Sequence, residues 1–89
     1  MDRSASTKPD ITVYTTEPCR RCLRAKALLE SHALTYEEVN LAKDPQGRRE
    51  LAARTGFATF PQIMIDDHVV GGFEELEQAD VRGELAALA

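Results

Sequence analysis

The chain has 89 residues, enough for one domain, and 43% of them are hydrophobic. Its formal net charge of −4 argues against nucleic acid or an anionic membrane as a partner. No apolar run approaches the roughly 20 residues that a membrane-spanning helix needs. We therefore expect a small soluble protein.

The first ten residues are polar and lack the apolar region of a secretory signal. We expect a frayed tail over residues 1–10, a folded domain over residues 11–89 and a cytoplasmic location. In a reducing compartment a lasting structural disulfide is rare. The two cysteines, three positions apart, therefore indicate catalysis or metal binding.

The first elements follow from side-chain patterns. Alternating apolar and polar residues predict a strand at Ile11–Thr15. Glu17-Pro18 interrupts this pattern, and helix-forming residues follow. We expect the helix to begin at or just after Cys19 and to hold His32 in its last turn. A second short strand is predicted within residues 34–39.

Capping and turn signals define the next elements. Asp44-Pro45 predicts a helix start, because a carboxylate caps the first turn and the fixed φ of proline suits it. Gly56 is the expected end of that helix. A hairpin should follow, with a strand at Gln62–Ile65, a turn at Asp66-Asp67 and a returning strand at residues 68–70.

The C-terminal part is predicted to be helical. Gly71-Gly72 breaks the chain before a charged helical segment that runs through Glu77, and Asp80 is expected to cap a last short helix. That last helix carries three apolar residues, Val81, Leu85 and Leu88. A helix between the first two strands makes them a parallel pair with a right-handed crossover. The hairpin must add antiparallel strands.

Cys19 and Cys22 form a Cys-x-x-Cys motif at a strand-to-helix junction, which indicates redox chemistry. The free N–H groups and the macrodipole of a first helical turn stabilise a thiolate at Cys19. Cys22 lies one turn later and should be less exposed. We therefore expect Cys19 to attack and Cys22 to resolve the mixed disulfide. Reactive thiols at such sites have pKa values of roughly 3.5 to 7.5.

Arg20 and Arg21 lie between the two cysteines. Two guanidinium groups beside a thiolate favour the ionised and reduced form, which predicts a relatively oxidising couple. The opposing effect is that a very stable thiolate is a weaker nucleophile. A solvated basic face remains an equal interpretation of the two arginines.

Two other interpretations of the cysteines are open. One is a zinc site built from Cys19, Cys22, His32 and His68, but structural zinc usually takes two close pairs of ligands, and these histidines are far apart in sequence. The other is that both thiols are small buried hydrophobic residues, which the position at a helix start disfavours.

From Ile11 to about Leu85 the chain resembles glutaredoxins. Three motifs in order carry the resemblance: Tyr14-Thr15-Thr16-Glu17-Pro18-Cys19-x-x-Cys22, Thr59-Phe60-Pro61 where the family has Thr-Val-Pro, and Gly71-Gly72-Phe73-Glu74-Glu75-Leu76. The resemblance implies an α/β, thioredoxin-like fold with a four-stranded mixed sheet and a cis peptide bond before Pro61. It also implies a thiol–disulfide oxidoreductase that serves electron transport and cell redox homeostasis.

The resemblance also implies partners. Glutathione is the expected reductant and co-substrate, with no tightly bound cofactor and no metal. The expected substrates are protein disulfides or glutathione-mixed disulfides, and a flavoprotein reductase is a further candidate partner. We expect a monomer without a nucleic-acid or membrane partner.

Family binding residues carry over onto the matching motifs. The backbone of Phe60, between Thr59 and Pro61, should hold the main chain of the cysteinyl substrate. Gly72, Phe73 and Glu74 should meet the γ-glutamyl end, since glycine allows close backbone approach.

Several positions depart from the family pattern, among them Glu74, which is longer by a methylene than the usual aspartate. Arg20-Arg21 replaces the usual Pro-Tyr, and Phe57 replaces a residue that is often polar or basic. Thr16 replaces a lysine that commonly binds the glycyl carboxylate of glutathione. We hypothesise that Arg20 or Arg21 supplies the missing cation.

These departures keep rivals open. A redoxin recharged by thioredoxin reductase is favoured by the loss of lysine at Thr16. An iron–sulfur module, in which the first cysteine and glutathione hold a cluster between two subunits, should be obstructed by the bulky Arg20. A redox-silent binding domain is a third interpretation.

Overall fold

The structure, a computed structural model, describes residues 9–89. The elements in chain order are β1 (Ile11–Thr15), α1 (Arg20–Ser31), β2 (Glu37–Asn40), α2 (Pro45–Thr55), β3 (Gln62–Ile65), β4 (His68–Gly71), α3 (Phe73–Val81) and α4 (Glu84–Leu88). Most of the predicted N-terminal tail, residues 1–8, lies outside the described residues.

The four strands form one mixed sheet in the order β2-β1-β3-β4. β1 pairs with β2 in parallel, while the β1–β3 and β3–β4 pairs are antiparallel. These pairings confirm the predicted sheet. Since side chains alternate along a strand, Ile11, Val13 and Thr15 of β1 are all buried on one face. The central strand β1 thus leads directly into the Cys-x-x-Cys segment.

Helix α1 begins where the sequence predicts. Cys19 is its N-cap, with an extended backbone at φ −155°. One face of the helix buries Cys22, Ala25 and Leu29. Helical spacing therefore places the second cysteine on the face that packs into the core.

The end of α1 differs slightly from the prediction, because His32 is the residue that follows the helix and not part of its last turn. Ala33 adopts a left-handed φ of 58°. Its N–H donates to the carbonyl of Glu30, and the N–H of Leu34 donates to that of Leu29, at 2.9 and 3.1 Å. This pattern is a Schellman motif. Because the N–H of Leu34 still bonds to a carbonyl group at the end of α1, β2 begins only at Glu37, later than predicted.

The capping prediction for α2 is confirmed. The carboxylate of Asp44 accepts a hydrogen bond from the N–H of Gly47 at 2.9 Å, and Pro45 is the first helical residue. Gly56 ends the helix with a φ of 89°. In the hairpin, Asp66-Asp67 has positive φ at both residues, as a type I′ turn between strands requires.

The prediction for the C-terminal helices is wrong in one respect. Asp80 does not cap the last helix, because α3 continues through Val81 and α4 begins only after Gly83. Gly83 has a φ of 84°, which places the break after Asp80. Val81 is 82% exposed, and Asp80 instead hydrogen-bonds the ring of His32 at 2.8 Å.

The main core lies between the sheet and the helices α1, α3 and α4. It is formed by apolar residues from all of these elements: Ile11, Val13, Ala25, Leu29, Leu34, Ile63, Phe73, Leu76, Ala79 and Leu85. The two helices whose first turns contribute to the predicted site, α1 and α3, are therefore fixed on the same core. Within residues 9–89 there is no helix long and apolar enough to cross a membrane.

Candidate active site

Cys19 and Cys22 form a disulfide at the start of α1, with their Cα atoms 5.3 Å apart. The backbone N–H of Cys22 donates a hydrogen bond to the Sγ atom of Cys19 at 3.1 Å, so the sulfur caps the helix. Cys19 is half-buried, whereas Cys22 is only 3% exposed. The two sulfur atoms therefore occupy different environments, with the outer one beside the free N–H groups of the first turn.

The predicted site residues line two separate clefts. The first, which we call the proline groove, has a volume of about 420 Å³. It includes seven predicted residues: Arg21, Thr59, Phe60, Pro61, Gly72, Phe73 and Glu74. The second, which we call the lysine cleft, has a volume of about 680 Å³ and includes the other four: Thr16, Cys19, Arg20 and Cys22. The consecutive residues Arg20 and Arg21 thus face different clefts.

The wall of the proline groove is built on the segment before β3. The Phe60–Pro61 peptide bond is cis, which confirms the prediction, and Glu17–Pro18 is a second cis bond that was not predicted. The buried Gln62 side chain donates hydrogen bonds to the carbonyl groups of Phe57 and Thr59, at 2.9 and 3.0 Å. Gln62 therefore fixes the segment from Phe57 to Thr59, which leads directly into Phe60.

The opposite wall is the link between β4 and α3. Gly71 has a φ of 125°, and a Cβ atom there would lie 2.8 Å from Cγ of Glu75. Only glycine fits this position. The carboxylate of Glu75 accepts a hydrogen bond from the N–H of Gly72 at 2.8 Å and so caps α3. The predicted Gly-Gly segment is thereby held against the first turn of α3, beside Phe73 and Glu74.

Glu74 is engaged across the groove. Its carboxylate forms an ion pair with the guanidinium of Arg21, which connects the first turns of α3 and α1. The sequence patterns do not indicate this contact, since the two residues are distant in the chain. Arg21 is therefore partly neutralised, and its charge does not act on the cysteines alone.

The lysine cleft contains a hydrogen-bonded chain that the sequence patterns also do not indicate. Nζ of Lys26 contacts Oε1 of Glu38 at 3.0 Å, and the hydroxyl of Thr15 donates to Oε2 of Glu38 at 2.8 Å. The hydrogen bonds from Lys26 and then Thr15 lower the pKa of Glu38. All three residues line the cleft together with both cysteines.

The proposed zinc ligands are not brought together. Cys19 and Cys22 lie at the start of the 12-residue helix α1, and His32 lies just beyond its end, about 20 Å along the axis from Cys19 and about 15 Å from Cys22 at 1.5 Å per residue. His32 is bound to Asp80, and His68 lies in β4. Among residues 9–89 no group of three or more metal-ligating side chains is assembled.

Comparison with known proteins agrees with this geometry. The sequence profile of the glutaredoxin family matches residues 11–70. Glutaredoxin 3 of Escherichia coli strain K12 is 39% identical over 79 residues, which cover 89% of this chain and 95% of that protein. The solution structure of a glutaredoxin from Brucella melitensis superposes with a TM-score of 0.82 at 36% identity, covering 93% of this chain and 90% of that one.

A more distant structure, a buckwheat glutaredoxin–glutathione complex, has the same fold. Its TM-score is 0.81 at 23% identity, over 90% of this chain and 76% of that one. These matches confirm the predicted thioredoxin-like fold. The chain belongs to the glutaredoxin family and is a thiol–disulfide oxidoreductase.

Proposed function

We propose that this glutaredoxin reduces glutathione-mixed disulfides and protein disulfides, with Cys19 as the attacking thiol and Cys22 as the resolving thiol. The observation that carries this assignment is the hydrogen bond from the N–H of Cys22 to the sulfur of Cys19 at the N-terminus of α1. A donor aimed at that sulfur stabilises its thiolate, and the greater exposure of Cys19 gives a substrate access to it.

The reaction proceeds by thiol–disulfide exchange. The Cys19 thiolate attacks one sulfur of the substrate disulfide, and the other sulfur leaves as a thiolate that takes up a proton. The resulting mixed disulfide on Cys19 has two fates. In the monothiol route a glutathione thiolate attacks it and regenerates Cys19. In the dithiol route Cys22 loses its proton and attacks Cys19, and the bound thiol is released.

Glutathione is the proposed reductant, with its cysteinyl and γ-glutamyl parts in the proline groove, its glycyl end reaching towards the lysine cleft, and no tightly bound cofactor. Phe60 lines the groove and its backbone is proposed to pair with the cysteinyl residue, while the segment Gly72 to Glu74 offers N–H groups and a carboxylate to the γ-glutamyl end. The buckwheat glutaredoxin, which has the same fold, is solved with glutathione. Arg20 shares the other cleft with Thr16 and is the cation proposed for the glycyl carboxylate.

Residues 11–89 form the proposed functional unit, acting as a monomer in the cytoplasm in electron transport and cell redox homeostasis. Its partners are glutathione and proteins that carry disulfides or bound glutathione. A flavoprotein reductase acts directly on this protein only if glutathione is not the electron source.

The test is turnover of a glutathione-mixed disulfide peptide in the presence of glutathione and glutathione reductase. We expect the Cys19→Ser variant to lose turnover and the Cys22→Ser variant to retain it, because the monothiol route needs only Cys19. Full turnover by Cys19→Ser would overturn the assignment of the attacking thiol.

The same assay with thioredoxin reductase in place of glutathione and glutathione reductase tests the alternative electron source. That alternative is favoured by the Arg21–Glu74 ion pair, which occupies the carboxylate expected to receive glutathione. We expect NADPH oxidation with glutathione and glutathione reductase to be the faster of the two. If turnover were faster with thioredoxin reductase, that enzyme would replace glutathione as the proposed reductant.

A further inference from the structure

We propose that Lys26 accelerates the resolving step by stabilising the thiolate of Cys22 from within the lysine cleft. The inference rests on the proposed function, in which Cys22 closes on Cys19 by the dithiol route. It adds a residue to that route which does not contact the substrate.

The position of Lys26 on α1 supports this role. Lys26 follows Cys22 by four residues, so their Cβ atoms lie on the same helical face, about 5–6 Å apart. Both residues line the lysine cleft, and the side chain of Lys26 is only 22% exposed. Cys22 is 3% exposed, so its ionisation carries a desolvation penalty that a nearby cation offsets.

The ammonium group of Lys26 is held in place and does not extend freely into solvent. Glu38 accepts its hydrogen bond at 3.0 Å, and Thr15, itself 1% exposed, donates to the other oxygen of Glu38 at 2.8 Å. The pKa of Glu38 is lowered by these two contacts, so the carboxylate stays ionised and keeps its hold on Lys26. A fixed cation loses less conformational entropy when a thiolate forms beside it.

The other charged groups of the cleft do not replace Lys26. Arg20 precedes Cys22 by two residues, and residues two apart on a helix do not face each other. Glu17, whose carboxylate accepts a hydrogen bond from the amide of Asn40 at 2.7 Å, and Glu38 are both anionic and oppose a thiolate. Lys26 is therefore the cation placed to favour ionisation of Cys22.

The step assigned to Lys26 balances in protons and bonds. Cys22 releases its proton to water, and its thiolate attacks the Cys19 sulfur of the Cys19–glutathione disulfide. The Cys19–Cys22 bond forms as the bond to glutathione breaks, and glutathione leaves as a thiolate that takes a proton from water. The Cys22 sulfur is oxidised and the glutathione sulfur is reduced, while Lys26 keeps its proton throughout.

The experiment measures the rate of this closure directly. The fully reduced protein is mixed with excess glutathione disulfide, quenched with acid at successive times and analysed by intact mass, which separates the Cys19–glutathione intermediate from the closed disulfide. The variants are Lys26→Met, Lys26→Arg and, as a matched control outside the cleft, Lys43→Met. Cys22→Ser, which cannot close, defines the signal of the intermediate.

At pH 7 we expect Lys26→Met to close about three- to ten-fold more slowly, since one unit in a thiol pKa changes the thiolate fraction about ten-fold. Its pH–rate profile should shift to higher pH, so that its rate falls furthest below the wild-type rate at neutral pH and approaches it as the pH rises and Cys22 ionises in both proteins. Lys26→Arg, which keeps a cation at this position, and Lys43→Met should both close at about the wild-type rate. A purely structural role would slow closure equally at every pH.

Two failures are distinguishable. If the wild-type intermediate never closes, the dithiol route of the proposed function is wrong. If the wild type closes and Lys26→Met closes at the same rate over the whole pH range, the function stands and the role of Lys26 is overturned. A slower rate that does not recover at high pH also overturns it.

Discussion

The guanidinium of Arg21 and the carboxylate of Glu74 form an ion pair that bridges the first turns of α1 and α3. Their side chains are 60% and 54% exposed, so the pair contributes at most about 1 kcal/mol to folding stability. We expect its greater effect to be on binding. A ligand that places an ammonium group at Glu74 must share this carboxylate with Arg21 or displace the guanidinium.

The first prediction therefore distinguishes the effect of Glu74 on ligand binding from the effect of Arg21. Glu74→Gln should raise the KM for a glutathione-mixed disulfide about three- to ten-fold, since a charge-assisted contact to the γ-glutamyl ammonium is lost. Arg21→Gln should leave this KM unchanged or lower it, because Glu74 becomes free to bind. Steady-state kinetics of both variants check the prediction, and a higher KM in Arg21→Gln would show that Arg21 binds the ligand itself.

The second prediction concerns Arg20, which shares the lysine cleft with Thr16. Arg20→Gln should raise the KM for the glutathione-mixed disulfide by about three- to ten-fold, the loss expected for one charge-assisted contact. The control substrate is the mixed disulfide of glutathione ethyl ester, which lacks the glycyl carboxylate. Its KM should be the same for the wild type and the variant; an equal rise with both substrates would contradict the assignment.

The third prediction concerns stability at low pH. The hydrogen bonds from Lys26 and Thr15 lower the pKa of Glu38, so the folded state binds this proton less tightly than the unfolded chain does. The stability from this group is present above the unfolded pKa of about 4.5 and is lost as the pH falls through the lower folded value. Glu38→Gln should be less stable than the wild type at pH 7 and should lose less stability on acidification.

Urea unfolding at neutral pH and at about pH 3, below the ordinary range of glutamate pKa values, measures this difference. Glu77→Gln is the matched control, since Glu77 is an exposed helical glutamate. It should behave like the wild type at both pH values. A Glu38→Gln variant that loses as much stability on acidification as the wild type would contradict the prediction.

The fourth prediction uses the Schellman motif at the end of α1. Ala33 holds a left-handed φ of 58°, which costs an L-residue roughly 1–2 kcal/mol. Ala33→Gly removes that cost but adds unfolded-state entropy worth about 0.4–1 kcal/mol, so we expect a net stabilisation of up to about 1.5 kcal/mol. The control, Ala53→Gly in the interior of α2, should destabilise by about 0.5–1 kcal/mol. Thermal unfolding of both variants tests whether they move the midpoint in opposite directions.

Local signals predicted most of the fold. The start and end of α2 follow from Asp44-Pro45 and Gly56, because capping chemistry depends only on neighbouring residues. The boundary of β2 and the break before α4 were not predicted correctly. In both places a left-handed residue, Ala33 or Gly83, decides the boundary, and the sequence pattern does not reveal a positive φ at an alanine.

The candidate active site likewise has features that the sequence predicts and features that it does not. The helix start capped by Cys19 and the cis bond before Pro61 follow from short motifs. The Arg21–Glu74 and Lys26–Glu38 contacts do not, because each joins elements distant in sequence that only the packed core brings together. The predicted site residues therefore line two clefts, and each cleft contains one of these ion pairs.

The sulfur of Cys19, the proposed attacking atom, also caps α1. A thiolate accepts a hydrogen bond more strongly than an uncharged disulfide sulfur. The hydrogen bond of the Cys22 backbone amide should therefore report the redox state of the Cys19 sulfur during the catalytic cycle. The proton chemical shift of this amide and its exchange with solvent should change each time Cys19 gains or loses a covalent partner, so that NMR can follow turnover without any attached probe.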